Sequence, residues 1–422
     1  MPTSPLSLNL LIKPVGSGCN LRCEYCYYLD KSDLSPGRPL TMSDELIERC
    51  ICEFIAAQSG PCVRFDWHGG EPTLLGPDTL RKIIRWQKKY AGSRQIANSL
   101  QTNGTLLTHE WCNFFHENNF LIGISLDGPA HVHDRYRRDT LGRPTFERVM
   151  HGLDLLKTHN VEFNTLSVIT DYSAAYPLEI FRFLKSVGSH YMQFAPAVDL
   201  LSRKALPAKP DMSSTGKLAP WSVAPLQYGN FLNTIFDEWL IADVGSYFVV
   251  TFDALLAKWC GLEPANCALA DTCGKGPAME IGGDVYLCDH YVFPDYCLGN
   301  IQQQSLLSLL LSDRLLRFGE QKSAGLPAVC RRCEYLNLCA GECPKHRTVQ
   351  QGDGMLNHLC PGLQAFFRHT EPYMKYMKQQ LESGGTPASV MEWARLRDSR
   401  PGQRNNLLQK HYGAGVLTWK QQ

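Results

Sequence analysis

Short apolar runs alternate with longer amphipathic ones from residue 1 to about residue 200. The short runs, at 8–12, 63–67, 99–102, 121–126, 163–169 and 192–195, have the length and the β-branched and aromatic content of strands. Between them, 43–58, 77–90, 109–118, 146–159 and 177–187 repeat apolar positions at helical spacing. Six strand–helix units in succession predict a parallel α/β sheet covered by helices. They are too few for a full eight-stranded barrel. Residues 200–225 lose all periodicity and are rich in Pro, Ser and Lys, which predicts a long loop.

Helical spacing returns at 228–241 and 252–260. Residues 283–288 read as the far arm of a small hairpin turned at Gly282-Gly283, and 305–318 as one helix. The breaker at 383–387 introduces a polar, positively charged tail that is expected to be weakly ordered. A docked helix at 388–396 is the alternative there.

Charge adds exclusions. The net charge is +1 with both signs interspersed, so no basic patch points to nucleic acid and no polybasic run to a membrane surface. No apolar run is long enough to span a bilayer, and the N-terminus lacks the charged start and cleavage site of a signal peptide. The expected location is the cytoplasm. The chain carries 17 cysteines, an odd number, which in a reducing compartment points to metal or redox chemistry rather than disulfides. Cys50, Cys52, Cys62, Cys112, Cys260 and Cys297 stand apart and read as small buried hydrophobes. The other eleven fall into spaced groups.

The first group is Cys19-x3-Cys23-x2-Cys26, just after the first predicted strand. Three thiolates on one tight loop suit three irons of a cubic cluster and leave the fourth iron open, whereas electron-carrying clusters use four cysteines. A zinc loop would pair C-x2–4-C with a second such pair, and none lies nearby. Tyr27 and Tyr28 follow directly. The end of the second strand carries His68-Gly69-Gly70-Glu71-Pro72, where two glycines let backbone approach closely. The third strand closes on Gln101-Thr102-Asn103-Gly104 and the fourth on Ser125-Leu126-Asp127-Gly128-Pro129. Strand ends are where such sheets place their chemistry. Asp127 is equally read as a turn residue bonding its own backbone.

The remaining eight are Cys267, Cys273, Cys288, Cys330, Cys333, Cys339, Cys343 and Cys360, enough for two complete four-cysteine sites. By count these suit zinc as well as iron–sulfur clusters; beside an iron–sulfur loop, the cluster reading is preferred.

The triplet and the GGEP stretch resemble the radical S-adenosylmethionine (SAM) superfamily. The later array resembles its SPASM domain. The stretches Leu11-Ile-Lys-Pro14, Ser99-Leu-Gln-Thr-Asn-Gly-Thr105, Cys288-Asp289-His290-Tyr291 and Leu298-Gly-Asn300 are similar to the anaerobic sulfatase-maturating enzymes, from about residue 8 to residue 375. The resemblance implies a partial (β/α)6 barrel over 1–235, including the 200–225 loop, a small cysteine-rich SPASM-type domain over 236–375 and a tail over 376–422.

It further implies oxidation of a cysteine or serine in a C/S-x-P-x-R sulfatase motif to Cα-formylglycine, without oxygen. SAM is expected to be held by Tyr28, Gly69, Gly70, Glu71, Ser125 and Asp127. Three 4Fe–4S clusters are expected. The SAM cluster would take Cys19, Cys23 and Cys26, one auxiliary cluster Cys267, Cys273, Cys288 and Cys343, and the other Cys330, Cys333, Cys339 and Cys360. Asp289 is the expected catalytic base, and an electron donor such as flavodoxin or ferredoxin the expected redox partner. His68 stands where some family members carry Gln, and it titrates nearer neutrality.

Two rival readings stand beside this one. A maturase that crosslinks a ribosomally made peptide would carry a leader-binding domain, for which the 18 residues before Cys19 leave no room. A non-enzymatic electron carrier or zinc-scaffolded module would have no use for an open iron or for GGEP.

Overall fold

The computed structural model describes residues 8–29, 31, 40–201 and 216–398. Seven parallel strands run in chain order: β1 (Leu11–Ile12), β2 (Cys62–Trp67), β3 (Gln95–Thr102), β4 (Phe120–Ser125), β5 (Phe163–Ile169), β6 (Tyr191–Pro196) and β7 (Phe248–Val249). The helices between them are α1 (Asp44–Ala57), α2 (Pro77–Tyr90), α3 (His109–Glu117), α4 (Ala130–Tyr136), α5 (Phe146–Thr158), α6 (Pro177–Ser186) and α7 (Pro225–Ala242). Local chemistry sets their ends. Ser43 and Thr108 cap α1 and α3 by accepting from backbone amides, and Pro77 and Pro177 start α2 and α6. Inward aliphatic and aromatic side chains such as Phe54, Phe65, Trp67, Ile122, Phe181 and Phe194 form one core between sheet and helices.

The structure departs from the expected pattern in four places. β1 is shorter than the run 8–12, because the Leu8 amide and carbonyl bond the Gln58 side chain (3.0 and 2.8 Å) instead of a neighbouring strand. α4 and β7 were not expected from periodicity; β7 adds a seventh parallel strand beside β6. After α8 (Val250–Trp259), the cysteine-rich part does not begin a sheet of its own. β8 (Ala278–Met279) pairs parallel to β1, and β9 (Asp284–Tyr286) and β10 (Cys297–Asn300) follow antiparallel. The result is one ten-stranded sheet, ordered β10-β9-β8-β1-β2-β3-β4-β5-β6-β7. The predicted helix at 305–318 is two, α9 (Leu306–Leu310) and α10 (Asp313–Ala324), because Ser312 caps a fresh start with its hydroxyl on Leu315 N.

Two one-turn helices follow, α11 (Ala328–Arg331) and α12 (Leu336–Cys339), then the hairpin β11 (Arg347–Gln351) and β12 (Gly354–Asn357). The long α13 (Cys360–Glu382) crosses α7 where Gly229 and Gly362 meet, and α14 (Val390–Asp398) docks on α7 with Val390 buried. The helical alternative for 388–396 therefore describes this end. The expected boundaries at 235 and 375 fall inside α7 and α13. Most of the 200–225 loop and the tail beyond 398 lie outside the described residues.

Candidate active site

The loop after β1 carries Cys19, Cys23 and Cys26, and the GGEP stretch after β2 holds it. Gly70 N donates to Gly16 O and Glu71 N to Gly18 O, both at 2.8 Å. A Cβ on Gly70 would stand 2.0 Å from Gly18 O, so only glycine admits this approach. Gly69 sits at φ +133°, a conformation that also favours glycine. The buried Glu71 carboxylate accepts from Thr73 N and Oγ1 (3.1 and 2.6 Å), Thr102 Oγ1 (2.7 Å) and Asn103 N (2.7 Å). Asn103 Nδ2 then donates to Asn20 Oδ1 at 2.8 Å and approaches Cys19 Sγ at 3.8 Å. The motifs at the ends of β2 and β3 thus brace the cysteine loop from behind.

The three thiols lie near enough to oppose one another's ionisation. Burial pushes Cys19 up to about 11 and Cys23 to about 12. Bound iron cations reverse that balance and hold such thiols as thiolates, so this convergent triplet, with Cys23 buried and Cys19 and Cys26 partly so, fits a cluster.

Ser125 Oγ accepts from Gln101 Nε2 at 3.0 Å at the end of β4. Asp127 stands differently from a residue reaching a ligand. Its buried carboxylate accepts from Tyr25 Oη at 2.5 Å and Val168 N at 2.9 Å, and pairs with Arg137 Nε at 3.1 Å. Those contacts take it up inside the protein, and through Tyr25 it fixes the turn between Cys23 and Cys26.

The pairing of β8 with β1 brings the second half of the chain against this loop. The buried Tyr28 hydroxyl donates to Glu280 Oε1. Tyr27 Oη donates to Asp289 Oδ2 at 2.6 Å, across 262 positions of sequence. Lys13, fully buried at the end of β1, lies 3.9 Å from the same oxygen and 3.7 Å over the Tyr28 ring. Its Nζ and the His68 Nδ1 are buried without hydrogen-bond partners. Burial opposes ionisation of Asp289, but His290, Lys13, the Tyr27 hydroxyl and His68 outweigh it and hold the carboxyl well below the usual range. Burial, with Lys13 adding to it, takes His68 down to about 4 and so favours its neutral form. The Asp289 side chain keeps 16% of its surface exposed. Sequence reasoning gave Asp289 and Tyr28 roles, named Tyr27 and the stretch with Lys13 without giving either a role, and passed over Glu280. A lysine inside the apolar run 8–15 was the available signal.

The later cysteines form two groups that interleave in sequence. Cys288 has its ionisation opposed by Cys343 and Cys267, and Cys343 by Cys267 and Cys273. Cys339 is likewise opposed by Cys360 and Cys330, and Cys360 by Cys330 and Cys333. Cys330, Cys333, Cys339 and Cys360 line one cavity with Leu336 and Phe367. Cys339 and Cys343, four positions apart, fall into different groups because three consecutive residues between them are left-handed: Ala340 (φ 48°), Gly341 (72°) and Glu342 (52°). His346 Nδ1 and Asn357 Nδ2 hold the Glu342 carboxylate at 2.8 and 2.6 Å and sustain that turn. Two sets of four converging thiols fit two further clusters.

A parallel α/β sheet with a three-cysteine loop after β1 and two four-cysteine groups beyond defines a class, the radical SAM enzymes with an auxiliary iron–sulfur domain. The radical SAM superfamily pattern matches residues 14–184, and the SPASM iron–sulfur cluster-binding domain pattern matches 277–334. More particularly, the chain belongs to the anaerobic sulfatase-maturating enzymes. It is 47% identical to the serine-type anaerobic sulfatase-maturating enzyme of Bacteroides thetaiotaomicron, over 91% of this chain and 94% of that one. It is 33% identical to the cysteine-type enzyme of Clostridium perfringens, over 86% and 96%. A solved structure described as native anSMEcpe with bound AdoMet and Cp18Cys peptide superposes with a TM-score of 0.79 at 32% identity, covering 89% of this chain and 100% of that one. The chain is therefore a radical SAM oxidoreductase of the kind that matures sulfatases, with a peptide as substrate. Similarity to the peptide-bound SuiB, at 14% identity and a TM-score of 0.59, shows the fold alone. Among the described residues no helix is long and apolar enough to cross a membrane.

Proposed function

We propose that this enzyme oxidises the serine of an S-x-P-x-R sulfatase segment to formylglycine, with Asp289 as the base. The cysteine form of the motif is the second substrate. Serine is favoured by the 47% identity to a serine-type relative against 33% to a cysteine-type one. Cys19, Cys23 and Cys26 would hold a cluster at which SAM binds, and its reduction would supply the radical needed to remove a Cβ hydrogen from the target. Gly69 and Gly70 let the cysteine loop and the cofactor approach β2, Glu71 braces that wall, and Ser125 offers a hydroxyl from β4. Tyr28 closes the side toward β8, and Asp127 acts by fixing Tyr25.

Asp289 then takes the proton of the target hydroxyl or thiol on Oδ1. Oδ2 is engaged by Tyr27, and Lys13 faces it, so the carboxylate stays oriented and ionised before substrate arrives. Cys267, Cys273, Cys288 and Cys343, and likewise Cys330, Cys333, Cys339 and Cys360, would each hold an auxiliary cluster, and these would provide the outlet for the second electron. A flavodoxin or ferredoxin would supply the first, in the cytoplasm, where reducing conditions disfavour disulfides.

The observation that carries this reading is the place of Asp289. It adjoins Cys288 of the auxiliary region and is hydrogen-bonded to Tyr27, the residue next to Cys26. A general base needs such a fixed reach to its proton. The test is anaerobic incubation of the iron-loaded enzyme with SAM, reductant and paired serine and cysteine peptides, read by mass spectrometry. Two-electron oxidation of the serine peptide without a crosslink is expected. A crosslinked product, or no reaction with either peptide, overturns the reading.

A further inference from the structure

Arg347 opens β11 and is 2% exposed. Its Nε donates to Gly341 O at 3.3 Å, within the left-handed turn between Cys339 and Cys343. Nη1 and Nη2 are buried and have no hydrogen-bond partner. No carboxylate pairs with it among the described residues. A buried guanidinium with orphaned donors is costly, because it has left water without finding acceptors or counter-charge. Such a group persists when something absent from the polypeptide completes it. Lys322, also fully buried, is different: its ammonium donates to the carbonyls of Cys267, Ala268 and Ala270 and has acceptors for all three protons.

The surroundings of Arg347 name the missing partner. Its guanidinium packs on Gly341, where a Cβ would stand 2.7 Å from Nη2, in the middle of the turn that separates Cys339 of the second auxiliary group from Cys343 of the first. Its amino groups therefore lie beside the turn from which the two thiol sets diverge. Cluster sulfides and cysteine thiolates are acceptors and carry net negative charge, so both clusters would supply what Nη1 and Nη2 lack.

We propose that Arg347 is a positioning residue shared by both auxiliary clusters, its two amino groups donating to a sulfur of each and its fixed charge raising both reduction potentials. The inference rests on the assignment of those eight cysteines as cluster ligands. Each cluster gains one negative charge when it accepts one electron, and a nearby cation stabilises that reduced form. Arg347 thus helps both clusters accept the electron leaving the substrate.

The test uses the full chain with Cys19, Cys23 and Cys26 replaced by Ala, so that only auxiliary signals remain, reduced stepwise with dithionite and followed by EPR. Absence of auxiliary signals in this parent refutes the cluster assignment itself. With signals present, Arg347→Gln should lower both midpoint potentials, each by at least a tenfold change in the reduced-to-oxidised ratio, about 59 mV for one electron. Arg347→Lys, which keeps the charge, should stay nearer the parent. Unchanged potentials in an iron-replete Gln variant overturn the proposal, and so does a shift of only one. A second measurement does not depend on any Arg347 variant folding. In the parent labelled with guanidino-15N arginine, pulsed EPR should show 15N coupling on both reduced auxiliary signals. Its absence from either overturns the bridge.

Discussion

Tyr27 and Lys13 face one oxygen of Asp289, and the two do different work. The hydroxyl donates a hydrogen bond at 2.6 Å and fixes the direction of the carboxylate. The ammonium at 3.9 Å acts mainly by charge. A hydrogen bond to a charged group is worth about 1.5–3 kcal/mol, so Tyr27→Phe should lower formylglycine formation about ten- to a hundredfold. Iron content and SAM cleavage should hold, because the Phe ring still packs on Tyr28 and His290. Quantifying 5′-deoxyadenosine and formylglycine in the same reaction checks this: both falling together would place Tyr27 at the cofactor instead. Gly70 illustrates the opposite kind of residue. It brings no side chain to the chemistry; it contributes the amide that holds Gly16 O and the Cβ it lacks beneath Gly18 O.

Among the elements, the pairing of β8 with β1 matters most, because it brings Glu280 and Asp289 to the cysteine loop. The crossing of α7 and α13 matters next. A Cβ on Gly362 would stand 1.9 Å from Pro225 O, so the helices would have to separate. Overpacking of this kind costs about 1–3 kcal/mol. Gly362→Ala should lower the denaturant midpoint accordingly with an unchanged slope. Because α13 begins at Cys360, the same variant should also load less iron; a wild-type midpoint would show that the crossing adjusts freely.

How legible these elements were in the sequence depended on whether their signal was local. The strand runs of the barrel and the spacing of Cys19, Cys23 and Cys26 are local patterns, and each predicted run overlaps a strand, although β1 is shorter and β3 begins earlier, at Gln95. β8 is two residues long and carries no pattern; it exists because β1 offers an open edge. The break at Ser312 was readable as a capping serine, but the apolar run through it concealed the stop. Spacing alone pairs neighbours, so the division of Cys339 from Cys343 came from family resemblance. Its physical cause is three left-handed residues, two of them not glycine. Arg347 gave no local sign at all.

Over the whole molecule, three separate thiol groups lie along one continuous sheet and the helices behind it. If each holds a cluster of four irons, replacing Cys19, Cys23 and Cys26 together by Ala should remove about a third of the iron and abolish SAM cleavage, with the rest retained. Iron analysis and a SAM cleavage assay on the purified protein check it. A zinc-scaffolded protein would show neither the iron nor the loss.

The central claim is that the Asp289 carboxylate, held between the two halves of the chain, takes the substrate proton after the radical step has begun. Asp289→Asn keeps the shape of the side chain and removes its basicity. With saturating SAM, reductant and the serine peptide, 5′-deoxyadenosine and formylglycine should be counted in the same tube. The expected result is full iron content, near-normal 5′-deoxyadenosine and formylglycine reduced about a hundredfold or more, the range of a lost general base. Wild-type formylglycine from this variant would contradict the account, because the base would then lie elsewhere.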